Sequence, residues 1–385
     1  MPPTLDRHVV TAVLVAHQGG RWLPETLKAL LTQSRPVQRL VAVDTGSTDR
    51  GPAVLTEVVG DGNLLRLPPE TGYGEAVARA LRHRAAALPV PDEHPGEPRT
   101  EWIWLLHDDS APAADALAVL LEAADADPNA AVLGPKLRDW HDRRLLLEVG
   151  VTIDGAGRRE TGVERREFDQ GQHDGVRTVL AVSTAGMLVR RDVWERVGGL
   201  DPDFGLFRDD VDFGWRVHAA GYRVVVVSDA VVYHAEASAR GLRDIGVPIG
   251  SPRRRDRRNA LHVLLANLPA GPAARALVRN LAGTVLRVLY LLAAKRQEAA
   301  RDELAALWDV LGAPGRLRRA RAARAEGSRR VYHTVRRFLP RGVALRRFID
   351  SLAAWLYREG RHRGEQEDLP ERPGRLRRVL SRPAA

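Results

Sequence analysis

The residues able to do chemistry in this 385-residue chain fall in four short segments. The first is Trp102-Ile103-Trp104-Leu105-Leu106-His107-Asp108-Asp109-Ser110, an apolar run that ends in two carboxylates. Adjacent carboxylates repel each other unless a cation or hydrogen-bond donors offset their charge. Hard divalent cations take such oxygens and share them with substrate phosphates. The competing reading is a solvated acidic turn, with Asp109 or Ser110 near the N-cap of a helix opening at Ala113. The second segment, Phe207 to Arg216, sets Asp209, Asp210 and Asp212 before an amphipathic run. The helix dipole favours acids in a first turn, which accounts for one or two of the three. A carboxylate beside a pocket can also act as a general base. The third is Val231-Val232-Tyr233-His234-Ala235, placing His234 after an apolar strand and turn; alone it reads as structural, and beside two carboxylate clusters it reads as a further metal ligand. In the fourth, Asp44-Thr45-Gly46-Ser47-Thr48-Asp49, Gly46 permits a tight turn and Ser47 or Thr48 can cap the next helix. Asp44 there could accept a hydrogen bond from a base or ribose edge.

The elements that must position these residues alternate. Strands are expected at Val9–Ala16, Leu40–Val43, Leu64–Leu67 and Trp102–Leu106, the last almost wholly apolar, as a buried parallel strand is. Helices are expected at Leu23–Thr32, Glu75–Ala87 and Ala113–Ala126, and later strands at Val179–Val189 and Arg223–Val227. The stretch 154–175 reads as an irregular insertion. Such alternation predicts an α/β fold with a largely parallel sheet, in which ligands bind beyond the carboxyl ends of the strands.

Composition narrows the class. The chain has no cysteine, which excludes disulfides, thiolate zinc sites and cysteine nucleophiles. Met1–Arg7 carries no apolar core of signal-peptide length, so a cytoplasmic location is expected. The net charge of +10 is divided unevenly: residues 1–250 carry −9 and residues 251–385 carry +19. Two parts are therefore expected, a 1–250 domain and a basic, mainly helical 251–385 region with helices near Ala273–Asp309 and Val343–Arg358. The longest apolar stretch, Leu281–Ala294, is interrupted by Arg287 and falls short of the ~20 residues needed to span a bilayer.

Six motifs occurring in order over residues 8–240 resemble the family 2 glycosyltransferases, whose catalytic domain has the Rossmann-like, nucleotide-sugar-binding GT-A fold. Val13-Leu14-Val15-Ala16-His17 is similar to the opening strand that holds the nucleotide base. Asp44–Asp49 resembles the Asp-Asn-Gly-Ser-Thr-Asp turn, with Thr45 in place of Asn. Gly72-Tyr73-Gly74-Glu75-Ala76 resembles the glycine-rich donor loop, with Arg79 where that helix often has Asn. His107-Asp108-Asp109 falls on the Asp-x-Asp metal motif, with His107 at its first position. The segment Ala185–Arg191, including Gly186, and Gly198-Gly199-Leu200-Asp201 resemble the acceptor-side strand and turn. Asp209-Asp210 falls on the Glu-Asp motif.

The resemblance implies an inverting, metal-dependent transfer of a sugar from a UDP-, GDP- or dTDP-sugar to a hydroxyl of a glycan or lipid-linked acceptor in bacterial cell-envelope polysaccharide synthesis. It assigns Asp210 as catalytic base and Asp109 with His234 as ligands of Mg2+ or Mn2+. Ala16, His17, Asp44, Gly72 and Asp108 fall on the donor side, and Gly186, Asp209 and Asp212 on the acceptor side. The chain has no Gln-x-x-Arg-Trp, the signature of processive synthases, so addition of one or a few sugars is expected. The altered triplet at His107 leaves a non-catalytic nucleotide-sugar-binding module as an alternative. For the basic region three readings stand: a solvated helical extension, a platform on an anionic membrane surface at the inner face of the plasma membrane, or nucleic-acid binding. Tyr332, Phe338 and Trp355 are too sparse for a base-stacking platform, which counts against the last. Arginines between 253 and 258 could instead reach back to the donor's phosphates.

Overall fold

The β-branched run near the start of the chain becomes the middle of the sheet. The computed structural model describes residues 7–91, 98–243, 251–324 and 332–339. β1 (His8–Ala16), α1 (Leu23–Leu31), β2 (Arg39–Thr45), α2 (Gly51–Val59), β3 (Leu64–Leu67) and α3 (Tyr73–Arg82) alternate as the pattern requires. β4 (Thr100–His107), the short β5 (Ser110–Pro112), α4 (Ala116–Ala126) and β6 (Ala130–Asp139) follow. A less regular stretch holds β7 (Leu146–Glu148), β8 (Thr152–Ile153), β9 (Arg159–Glu160), β10 (Val176–Thr178) and β11 (Leu188–Arg190). α5 (Arg191–Val197), α6 (Asp209–Ala219) and β12 (Arg223–His234) complete the sheet region. After it the described residues include α7 (Pro252–Asn267), α8 (Ala270–Ala293), α9 (Gln297–Leu311) and α10 (Pro314–Ala323).

The sheet order is β10-β12-β6-β11-β4-β1-β2-β3. β1 pairs in parallel with both β2 and β4, and β12 with β6, while β11 runs antiparallel between β4 and β6. Because side chains alternate across a strand, each central strand serves two cores. Val13, Val43, Ile103 and Leu105 face α3, α5 and α6. Val10, Leu14, Trp104 and Leu106 face α1, α2 and α4. A third core joins α6 to the C-terminal helices through Val211, Trp215, Leu261 and Leu264. The fold is α/β, a mostly parallel sheet domain followed by a helical region, as expected.

Several boundaries differ from the sequence reading. Residues 179–189 are not one strand: the chain bends through Ser183–Gly186, Gly186 at φ 121°, and only Leu188–Arg190 is extended into the sheet. β12 runs on to His234 instead of ending at Val227, because an irregularity between Val227 and Val231 restores register with β6. The helix expected at Glu75–Ala87 stops at Arg82, and a 3-10 turn covers Arg84–Ala87. The helix expected from Ala113 begins at Ala116. Ser47 and Thr48 do not cap α2; the Asp49 carboxylate accepts from Gly51 N at 2.8 Å instead. The basic run 253–258 opens α7. Ala273–Asp309 is two helices, separated by Lys295 in the left-handed region at φ 57°. There Arg296 N donates to Leu291 O and Lys295 N to Leu292 O, the double bond that ends many helices. α8 extends to 24 residues through the alanine-rich 270–280 stretch. By length and composition it is apolar enough to cross a membrane, which the shorter Leu281–Ala294 window missed. The helix expected at Val343–Arg358 lies outside the described residues.

Asp212 ties the sheet domain to the last helices. It is fully buried, and its carboxylate accepts from Arg216 Nε at 2.8 Å, Arg324 Nη2 at 3.0 Å and Asn267 Nδ2 at 2.7 Å. Burial alone would raise its pKa; Arg216 and Arg324 outweigh that and hold it at about 2. A depressed carboxylate stabilises the fold fully above its unfolded pKa of about 3.9 and loses that contribution as pH falls towards the folded value. Asp212→Asn is expected to cost about 2 kcal/mol at pH 7 in denaturant unfolding. The gap from wild type should narrow between pH 4 and 2. An unchanged midpoint at pH 7 would show that the cluster contributes nothing.

Candidate active site

β4 delivers its two carboxylates to the carboxyl edge of the sheet, and both are buried: Asp108 is 1% and Asp109 3% exposed. That excludes the solvated acidic turn. Asp108 accepts from His17 N at 2.8 Å and from Arg243 Nη1 at 2.7 and 2.9 Å. Asp109 Oδ2 accepts from Ala237 N at 2.8 Å and lies 2.9 Å from Arg243 Nη2. Asp109 Oδ1 faces His234 Nε2 at 3.3 Å. Burial, with Asp109 beside it, pushes Asp108 up; His234 and Arg243 overcome burial at Asp109 and hold it well below the usual carboxylate range. Gly19 has no room for a side chain, since a Cβ there would fall 2.1 Å from Asp108 Oδ2.

These groups line a cleft of about 390 Å³, within the range of small-molecule sites. One wall carries the strongest candidate for a cation. His107, Asp109 and His234 each offer a ligand atom, all within 4.8 Å of one another. Burial pushes His107 down to about 3, with His234 adding to the shift, so its imidazole is neutral at physiological pH and can act as a ligand. Its ring is bonded to Thr184 Oγ1 at 2.9 Å and lies edge-on between Tyr73 and His234. His107, which departs from the motif in sequence, belongs to the cluster in the structure.

Asp209 and Asp210 line the same cleft at the start of α6. Arg159 Nη1 donates to Asp210 Oδ2 at 2.6 Å and Arg159 Nη2 to Glu148 Oε2 at 2.8 Å. Burial and the neighbouring Asp210 push Asp209 up. The turn before them is strained: Phe207 and Arg208 both sit in the left-handed region, at φ 68° and 69°, each costing of order 1–3 kcal/mol. α7 holds this turn from behind. The fully buried Asn259 Nδ2 lies 3.0, 2.7 and 2.9 Å from the carbonyls of Phe204, Leu206 and Phe207. Arg208 donates to Asp256 at 2.5 and 2.8 Å and to Gly157 O at 2.8 Å.

Not every expected residue reaches the cleft. His17, Gly72, Asp108, Asp109, Asp209, Asp210 and His234 line it; Ala16, Asp44, Gly186 and Asp212 do not. Asp44 is buried behind Thr45, with Oδ2 accepting from Ser47 N and Oδ1 unpartnered. Gly186 packs against side chains, since a Cβ would meet Pro135 Cγ at 2.8 Å. Asp212 is structural. Of the basic run, Arg255 lines the cleft and, among the described residues, has no acidic partner. Arg254 pairs with Asp309, Arg257 with Glu303, and Arg258 donates to Asp203 O. The sequence reading missed Glu148, Arg159 and Arg243. Glu148 alone carried a signal, a single acid in the apolar run Leu145–Val149.

A strand-end cleft thus gathers paired carboxylates, a His/Asp/His cluster and arginines. The family model described as "Glycosyltransferase like family 2" matches residues 7–245. The chain belongs to that family: it is a glycosyltransferase with a GT-A catalytic domain. It is 30% identical over 244 residues to the N-acetylglucosaminyl-diphospho-decaprenol L-rhamnosyltransferase of Mycobacterium tuberculosis, covering 60% of this chain and 78% of that one. A 70-residue segment, 18% of this chain and 6% of the relative, is 36% identical to the O-antigen biosynthesis protein RfbC of Myxococcus xanthus. Among solved structures it is similar to S. aureus TarS 1–349 in complex with UDP-GlcNAc (16% identity, 86% of this chain and 93% of that one, TM-score 0.49). It is also similar to GalNAc-T7 with UDP, GalNAc and Mn2+ (14% identity, TM-score 0.47); the match covers 65% of this chain and about half of that one, 47%.

If the cluster holds a divalent cation, replacing His234 by Gln should weaken binding of that cation about 10-fold or more in calorimetry, with His107→Gln acting in the same direction. Equal metal dependence in both variants would move the cation site elsewhere.

Proposed function

We propose that this enzyme transfers a sugar, with inversion at the anomeric carbon, from a nucleoside-diphosphate donor to a hydroxyl of a lipid-linked glycan acceptor in cell-envelope synthesis. One observation carries the reading: a single cleft holds both the His107/Asp109/His234 cluster with Arg243 and the Asp210 carboxylate. The name of the mycobacterial relative supports a diphospho-polyprenol-linked acceptor and an L-rhamnosyl donor. The absence of a processive signature supports addition of one or a few sugars.

Each residue has a part. His17 donates from Nδ1 to Thr45 O at 2.8 Å, leaving Nε2 as a buried, unpartnered acceptor, as is Asp44 Oδ1. The unpartnered His17 Nε2, which lines the cleft, favours a ligand edge that donates, such as the ring N–H of uracil, thymine or guanine. Asp108 stands on the donor side, in reach of a ribose or sugar hydroxyl. The His107, Asp109 and His234 donor set fits a divalent cation, and its two imidazoles suit a transition-metal ion better than Mg2+, which takes oxygen ligands. Such a cation, when bound, would offset charge on the departing diphosphate. Arg243 and Arg255 add fixed positive charge for the same phosphates. Asp210 accepts the proton of the acceptor hydroxyl as its oxygen bonds to the anomeric carbon, and the bond to the diphosphate breaks with its electron pair. Arg159 holds Asp210 in that position while Glu148 anchors Arg159.

Calorimetric titration with UDP, GDP and dTDP, each with and without Mn2+, should find one nucleotide whose binding depends on the metal. Asp210→Asn should keep that affinity within about 2-fold and lower turnover by about 10²–10⁴. No binding of any nucleotide would remove the donor reading, and unchanged turnover would remove Asp210 as base.

A further inference from the structure

α8 and α9 pack side by side, and each turns an apolar row to solvent. Val285, Leu286, Leu289 and Tyr290 on α8 are 57–69% exposed; Leu304 and Trp308 on α9 are 51% and 76%. Isolated exposed apolar side chains are ordinary, but a row of large ones on neighbouring helices marks an interaction surface. The opposite sides of the same helices are fully committed. Asn280 and Thr284 are buried, Asn280 Oδ1 accepts from Arg257 Nη2 at 3.0 Å, and Arg287 Nε donates to Glu303 at 2.9 Å. α8 therefore cannot cross a bilayer without breaking these bonds and leaving the polar groups unsatisfied in hydrocarbon.

The charges are sorted as well. On α9, Asp302 accepts from Ser251 Oγ at 2.5 Å, Glu303 pairs with Arg287, and Asp309 accepts from Arg254, so three acids are held by inward partners. Arg275, Lys295, Arg296 and Arg301 are exposed, against Glu298. A second copy of this face would bring like charges together. An anionic bilayer offers both opposite charge and an apolar layer for the rows, with Trp308 and Tyr290 suited to the interface between them.

We propose that the α8–α9 face lies on the surface of an anionic lipid bilayer with its apolar rows in the headgroup–acyl boundary. The surface deepens the proposed function, since a lipid-linked acceptor sits in that layer. The test needs neither donor nor acceptor. The full chain is floated with vesicles of phosphatidylcholine alone or with phosphatidylglycerol. Wild type should float with the anionic vesicles and lose most of that binding on the neutral ones. The Leu286→Glu/Trp308→Glu double variant should float about 10-fold less while keeping metal-dependent nucleotide binding. Brominated lipid should quench wild-type fluorescence more than that of Trp308→Phe, a change too small to threaten the fold. The proposal is overturned if wild type stays at the bottom with both lipids, if both variants behave as wild type, or if the double variant dissolves a dimer in place of a vesicle complex. Loss of nucleotide binding in the wild type would count against the transfer reading alone.

Discussion

Two adjacent carboxylates buried at the end of one strand are the constraint on which this structure turns. Asp108 and Asp109 are nearly out of reach of solvent, and a buried charge without partners costs several kcal/mol. Four separate parts of the chain supply the compensation: the backbone after β1, His234 at the end of β12, Ala237 just beyond it, and the guanidinium of Arg243. Two strand pairings serve the same need. β1 and β12, whose ends meet the carboxylates, must flank β4 and its continuation, and β5 carries Ser110 into pairing with His234 to bring this about.

The second charged group obeys the same rule with different means. Arg159 is shared between Glu148 and Asp210, so one cation fixes two buried acids, and both hold it charged. Asp209, next to Asp210 and without such a partner, is pushed towards its neutral form by burial. The cleft thus carries one carboxylate paired with a guanidinium beside another biased to keep its proton.

What the sequence made legible was local. The strands that carry Asp44, Asp108 and His234 show as apolar runs, so the α/β class could be written from spacing, while the family resemblance named seven residues that the structure places on the cleft wall. What stayed hidden depends on contacts between residues far apart in sequence. Arg159 lies in a stretch of Gly, Arg and Asp that looks like a surface insertion, and only its position opposite Asp210, 51 residues on, gives it a role. Arg243 is one arginine among many. The run at 253–258 looks like a solvated basic patch, yet it opens α7, which buries Asn259 and Leu261. Asp212 erred the other way: its motif suggested the acceptor side, and its depth beneath Arg324 makes it part of the scaffold.

The left-handed pair Phe207–Arg208 has a consequence for where this catalytic unit can be cut. The family match ends at residue 245, which invites a minimal fragment of that length. Such a fragment would keep Asp209 and Asp210 but lose Asn259 and Asp256, the side chains that pin the preceding turn in its strained shape. The family match is therefore shorter than the stretch that holds Asp209 and Asp210 in place. In this chain the side chains that support these two carboxylates continue into the helical region, past residue 245.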